Sequence, residues 1–180
     1  MADELIDIYS ENNKPLNIEK MKSEAHKNGL WHRSAHIWIY NSHREILLQL
    51  RADNKEMYPN MWDISAAGHV DSGEEPIVAA LREMEEEIGL SVKQEDLEFF
   101  EIRKVQAVYK EIINNEFDYV YFLKFDGNIS ELTLQKEEVA KIQFLSIDKI
   151  EEELNKFPEK YVPHGDYWFD VIKKVRDNIK

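Results

Sequence analysis

The chain has 180 residues, 43% of them hydrophobic, with 36 acidic against 23 basic side chains and a formal net charge of −13. That charge excludes a nucleic-acid partner, which needs a basic surface to neutralise phosphates, and the absence of cysteine excludes disulfides, thiolate metal sites and a cysteine nucleophile. No apolar run reaches the roughly 18 residues of a membrane span and "MADELIDIYS" lacks the regions of a secretion signal, so a cytoplasmic protein without a membrane partner is expected.

Taken in order, "ELIDIYSENNKPLNIEK" reads as two short strands around "ENNKP", an N-terminal hairpin, and a brief helix over about 22–27 follows and ends at Gly29. "LWHRSAHIWIYNSHREILLQLR" holds two apolar strands joined at "NSHR", the first apolar on both faces as a central strand is. "ADNKEMYPNMW" is a polar loop, and "WDISAAGHV" a short strand. "EFFEIRKVQAVYKEII", "EFDYVYFLKF" and "AKIQFLSI" supply further strands, with a turn expected at "NNEF". Helices around "IDKIEEELNKF" and "YWFDVIKKVRDNIK" close the chain. No repeat or linker interrupts it, so one domain is expected over 1–180: a hairpin and short helix over 1–29, then an α/β (α+β) core over 30–180 with helices against a sheet.

Between "AAGHV" and Leu90 lies a second helix, expected over about 75–88, with Pro76 in its first turn and Gly89 just past its end. Ile77, Leu81, Met84 and Ile88 form an apolar stripe. Glu83, Glu86 and Glu87 fall together away from it. Like charges at this spacing cost a few tenths of a kcal/mol per pair, yet carboxylates fixed on a rigid element are what a hard cation such as Mg²⁺ requires. Arg82 is placed to steady Glu85 or Glu86, and Gly68 and Gly73 let the preceding loop turn back and bring Glu74 near.

Gly68, Glu74, "REMEEEIGL" and their spacing match the Nudix box, and the chain resembles the Nudix hydrolases. The resemblance implies the Nudix fold, a mixed sheet sandwiched between helices, here with the N-terminal hairpin as an extension. It also implies hydrolysis, with Mg²⁺ or Mn²⁺, of a nucleoside diphosphate linked to another group or of a related diphosphate. By motif position Glu83, Glu86 and Glu87 would be metal ligands, the Gly68 carbonyl joining them. The general base is left among Glu86, Glu116 and Glu138. A homodimer is compatible with the sequence.

The flanks "KSEAHKNGLWH", "LQLRADNKEMYPNMW", "GHV" and "NNEF" are similar to the type I isopentenyl-diphosphate isomerases. By that likeness His26, His32, His69 and Glu116 would bind a metal, and Lys22, Arg51 and Lys55 the substrate diphosphate. Imidazole suits Mn²⁺ or Zn²⁺ better than Mg²⁺. Two departures count against isomerisation: Ala67 stands where those enzymes carry a cysteine proton donor, and Asn114 where they carry a second glutamate. An isomerase-like activity and a catalytically silent nucleotide-binding module are therefore the alternatives to a hydrolase. His36 and His43 read as structural or exposed, and His164 carries no signal. Trp62, Tyr119, Tyr121, Trp168 and Phe169 read as core before base-stacking; Glu116 and Asp118 share a strand face that extends the acidic site or sits at a solvated edge.

Overall fold

The structure, a computed structural model, describes residues 3–178. In chain order it runs β1 (Leu5–Tyr9), β2 (Pro15–Met21), α1 (Lys22–Asn28), β3 (His32–Tyr40), β4 (Glu45–Arg51), β5 (Trp62–Asp63), β6 (Ala66–His69), α2 (Pro76–Ile88), β7 (Leu97–Tyr109), β8 (Ile112–Lys124), β9 (Val139–Ser146), α3 (Ile147–Lys156) and α4 (Tyr167–Asn178). β1 and β2 form the expected hairpin, and α1 ends where Gly29 takes the left-handed conformation at φ 60°.

The central strand β3 is buried at every position but Arg33. Its alternate residues serve two cores. Ala35, Ile37 and Ile39 join Ala79, Ala80, Met84 and Ile88 of α2, while Trp38 and Tyr40 join Ile147 and Ile150 of α3 and Trp168, Val171 and Val175 of α4. The sheet is thus sandwiched between helices, as the mixed α+β expectation has it. On α2 the buried stripe centres on Ala79, Ala80, Met84 and Ile88, with Ile77 and Leu81 at its flanks; two small residues let the helix approach the sheet closely.

β3 pairs in parallel with β8 along its whole length, His32 opposite Glu116 and Ser34 opposite Asp118. On its other side the partner changes. It meets β4 only at Ile39–Leu47 and Tyr40–Ile46, and β6 over Ser34–Ile37. The buried hydroxyl of Ser65 sits at that fork, accepting the Ile39 N–H at 2.8 Å and donating to the Leu47 carbonyl. β4 then pairs with β5 and β9.

Two expected boundaries differ. "WDISAAGHV" is two strands, β5 and β6, parted at this fork. The turn expected at "NNEF" lies earlier, at Lys110–Glu111, where Lys110 takes φ 54° and Tyr109 pairs with Ile112. Asn114 and Asn115 remain in β8 because their amides are held there, by the Glu116 carboxylate and the Gly29 carbonyl. No described helix is long and apolar enough to cross a membrane.

Ser65→Ala strips the partners from a buried N–H and a buried carbonyl. Denaturant unfolding should show a loss of about 1–3 kcal/mol; an unchanged midpoint would show that the fork does not depend on this hydroxyl.

Candidate metal and substrate site

Gly68 lies in β6 opposite Ala35, and the Glu83 carboxylate occupies the space its side chain would take. A Cβ there would stand 2.1 Å from Glu83 Cδ, so the requirement for glycine is steric. Arg82 fixes the arrangement. Its Nε and Nη2 donate to the two oxygens of Glu74 at 3.1 and 2.9 Å, Nη2 also to the His69 carbonyl at 3.0 Å, and Nη1 to Glu83 at 2.6 Å. Glu86 is a longer contact at 3.4 Å and Glu85 is exposed. The expected Arg82–Glu85 or Arg82–Glu86 pairing thus yields first place to Glu74 and Glu83, because the planar guanidinium matches the two Glu74 oxygens at once.

Glu87 is buried on α2, and its Oε2 accepts from the Ala67 N–H at 3.1 Å and from Gln49 Nε2 at 3.3 Å. Burial, with the neighbouring Glu83 charge, pushes its carboxyl up to about 8 against the pull of Lys55. Burial likewise raises Glu83, against Arg82. Glu86 is the exposed member, its side chain 54% exposed. The Glu83 and Glu87 carboxylates, whose ionisation is resisted by burial and mutual repulsion, fit a divalent cation, whose charge reverses both effects.

A second donor set stands beside the first. His26 of α1, His32 of β3, His69 of β6 and Glu116 of β8 each bring one ligand atom, all within 4.8 Å of one another. His32 Nδ1 is 2.8 Å from the Leu30 carbonyl and His69 Nδ1 is 3.1 Å from Glu4, which turns their Nε2 atoms inward. The Nε2 atoms of His26, His32 and His69 are buried without a hydrogen-bond partner; Glu116 Oε1 lies 3.3 and 3.4 Å from the last two, out of line for a hydrogen bond. Three orphaned imidazole nitrogens around a carboxylate are a donor set that fits Mn²⁺ or Zn²⁺. Asn114, where the isomerase likeness expects a carboxylate, donates to Glu116 Oε2 at 2.5 Å.

The neighbouring charges act unevenly on these groups. Burial draws His69 down, but Glu116 and Glu4 outweigh it and hold the imidazole protonated up to about 9. Burial and the two neighbouring rings pull His26 down to about 4. Glu116 stays well below the usual carboxylate range because His32 and His69 overcome its burial. Asp118, next along the strand, is pushed up to about 8 by burial and then by the Glu116 charge.

Both donor sets border one cavity of about 620 Å³, a size that admits a small-molecule ligand. Lys22, Arg51 and Lys55 line it, as do Glu138 and every expected metal ligand except His32; Glu74, which holds Arg82, is not part of the lining. Each basic residue already holds an acid: Lys22 holds Glu4 at 2.9 Å, Arg51 holds Asp63 at 2.8 Å, and Lys55 holds Glu138.

The reading of the aromatics as core before base-stacking holds for four of the five: Trp62 and Tyr119 pack against the two cores, and none of Trp62, Tyr119, Tyr121, Trp168 and Phe169 lines the cavity, whereas Tyr58 and Tyr167 do. Tyr121 and Trp168 belong to the two cores, and Phe169 is exposed. Glu116 and Asp118 are not at an edge, since β8 is flanked by β3 and β7. His43 is exposed, but His36 is buried against the cavity and His164 Nε2 meets Asp63 Oδ1 at 2.7 Å. Ser34 and His36 follow His32 at the two-residue spacing of one strand face, a signal the sequence carried once the pairing partner was known.

A mixed sheet between helices, with a carboxylate helix seated on a glycine strand at the mouth of a polar cavity, defines the Nudix class of folds. The NUDIX domain family model matches residues 30–165, and the chain belongs to that family. Nudix hydrolase 3 of Arabidopsis thaliana is 34% identical over 97% of this chain, which spans only 24% of that longer protein. The isopentenyl-diphosphate Delta-isomerase of Serratia proteamaculans is 33% identical, the match covering 85% of this chain and 80% of that one. The crystal structure of DR0079 from Deinococcus radiodurans shares the fold, with a TM-score of 0.69 at 19% identity over 98% of this chain and all of that one.

Glu87, Asp118 and His69 all hold protons in the folded state to higher pH than their free side chains do, so the folded state binds more protons than the unfolded one through pH 6.5–9. Stability then falls as pH rises across that window. In chelator the melting temperature should drop between pH 6.5 and 9, and Glu87→Gln should remove part of the drop. A flat profile would show that these groups are not strained in the metal-free fold.

Proposed function

We propose that this chain is a divalent-metal-dependent pyrophosphohydrolase, cleaving a diphosphate bond in a nucleoside diphosphate linked to a further group, or in a related diphosphate. The observation that carries the reading is Glu83 seated on Gly68, with Glu86 and Glu87 beside it and Arg51, Lys55 and Lys22 lining the same cavity. Mg²⁺ or Mn²⁺, held by Glu83, Glu86 and Glu87 with the Gly68 carbonyl, would neutralise the diphosphate and lower the pKa of a bound water. The chain's own residues do the rest. Arg82 keeps Glu83 in place through Glu74, Arg51 and Lys55 take the distal phosphate, and Lys22 closes the hairpin side.

Among the candidate bases, Glu86 has the freedom to accept the water proton. Glu138 is tied to Lys55, and Glu116 faces two imidazoles. The histidine set and the Serratia relative favour one second reading, an isomerase-like reaction on an isoprenoid diphosphate. Ala67, which lines the cavity, has no proton to give there.

Product chromatography after incubation with nucleoside diphosphate sugars, dinucleotides, nucleoside triphosphates and isopentenyl diphosphate, each with Mg²⁺ and Mn²⁺, tests this. Cleavage is expected, with kcat reduced about 10²–10⁴-fold in Glu86→Gln and an unchanged melting temperature. Full activity in that variant removes Glu86 from its role; isomerisation without cleavage favours the second reading.

A further inference from the structure

One stretch of the cavity wall has no part in that chemistry. On the sheet face that carries His32 and Glu116, the next residues along the paired strands are Ser34 and Asp118, followed by His36. Two residues advance a strand by about 6.6 Å, so this group begins one such step from the imidazole cluster. His36 is also opposite Ala67 on β6, and the Ala67 N–H is held by the box carboxylate Glu87. Both metal donor sets therefore border it.

The group is polar and enclosed. Ser34 Oγ donates to Asp118 Oδ1 at 2.8 Å, while Asp118 Oδ2 stands 3.8 Å from His36 Nδ1, beyond hydrogen-bond reach. His36 Nδ1 lies 3.3 Å from the Tyr167 hydroxyl, which accepts from Trp38 Nε1 at 2.8 Å. The His164 ring sits 6.3 Å from that of His36 and 5.7 Å from that of Tyr167. Asp118, His36 and Tyr167 are each more than nine-tenths buried, and all three line the cavity with His164. Burying such groups is costly unless they find partners. At the very next positions on the same face the strands turn to Trp38, Val120 and Phe122, which shows what a purely structural wall there looks like.

We propose that Asp118, His36, His164 and Tyr167 form a hydroxyl-binding subsite that takes the sugar of a diphosphate-linked sugar, and that it selects the group joined to the diphosphate. This rests on the hydrolase reading for the position of the diphosphate. An isoprenoid tail would strand a buried carboxyl and two imidazoles against hydrocarbon. A nucleobase needs a free stacking face, but the Tyr167 ring is covered by His36, stacked at 20°, and by Arg103 at 4.3 Å. Vicinal hydroxyls both donate and accept, and so suit a wall that mixes carboxyl, imidazole and phenol. A site built to hydrogen-bond hydroxyls also discriminates strongly against ligands lacking them.

The test is calorimetric titration of the full chain carrying Glu86→Gln, with Mg²⁺ present, using ADP-ribose, UDP-glucose, ADP, UDP and isopentenyl diphosphate. At least one nucleoside diphosphate sugar should bind about tenfold or more tighter than its parent diphosphate and than isopentenyl diphosphate. Adding Asp118→Leu, or His164→Phe as the less buried alternative, should erase that advantage and leave the parent diphosphate within about twofold. Equal affinity with and without the sugar, preference for isopentenyl diphosphate, or equal weakening of all ligands by His164→Phe would overturn the subsite. The outcomes separate from those of the hydrolase reading: cleavage of diphosphates without sugar preference removes the subsite alone, and selective sugar binding without cleavage in the unsubstituted chain removes the hydrolase alone.

Discussion

The hydroxyl of Ser65 sits between two strands that would otherwise continue to pair. By accepting the Ile39 N–H and donating to the Leu47 carbonyl, it substitutes for the backbone ladder where β3 and β4 part. Strands that splay leave unpaired backbone groups, which must find partners elsewhere. β3 finds them in β6 and β4 in β5. The residues brought to the two sides of the splay are Ala67, Gly68 and His69 on one and Arg51 and Asp63 on the other, and the cavity lies between them.

Alternation within β3, β6 and β8 then decides which chemistry each part of the cavity receives. Ala35, Ile37 and Ala66 face α2, and Gly68 on the same side of β6 meets Glu83. The opposite face carries His32, Ser34 and His36 with Glu116 and Asp118, in register by the parallel β3–β8 pairing. A slip of one residue in that pairing would turn every one of these side chains to the other face. β6 is only four residues long, so the oxygen donors of one face and the imidazoles of the other reach the same cavity around it.

What was legible in the sequence follows from this. The box helix was readable to within a residue because its spacing is local, and Pro76 and Gly89 mark its ends. The imidazole cluster was readable only through resemblance, since His26, His32, His69 and Glu116 come from four elements. The true partner of Arg82 was not readable, because it depends on the path of the loop that carries Glu74. Asn114 and Asn115 pointed to a turn by residue type, but their amides found partners that held them in a strand. Asp118 was legible as sharing a strand face with Glu116, but its partnership with Ser34 and His36 stayed hidden because it exists only when two strands 84 positions apart come into register.

Electrostatics ties these parts together. In a chain of net charge −13, the basic side chains around the cavity are not waiting for an anion: Lys22, Arg51, Lys55 and Arg82 each hold a carboxylate. A diphosphate arriving alone would have to displace those acids and leave them buried and unpaired beside its own charge, at a cost the released lysines cannot offset. If it arrived with a divalent cation, as the proposed function has it, the cation would meet the buried Glu87 carboxyl, held by the Ala67 N–H and the Gln49 amide, and Glu83, which shares Arg82 with Glu74. The acidic wall would then attract the complex rather than repel it, and on the proposed reading each ligand would improve the site for the other, which is positive coupling. The acidity of the chain, which argues against nucleic acid, is for this reason compatible with a phosphorylated substrate.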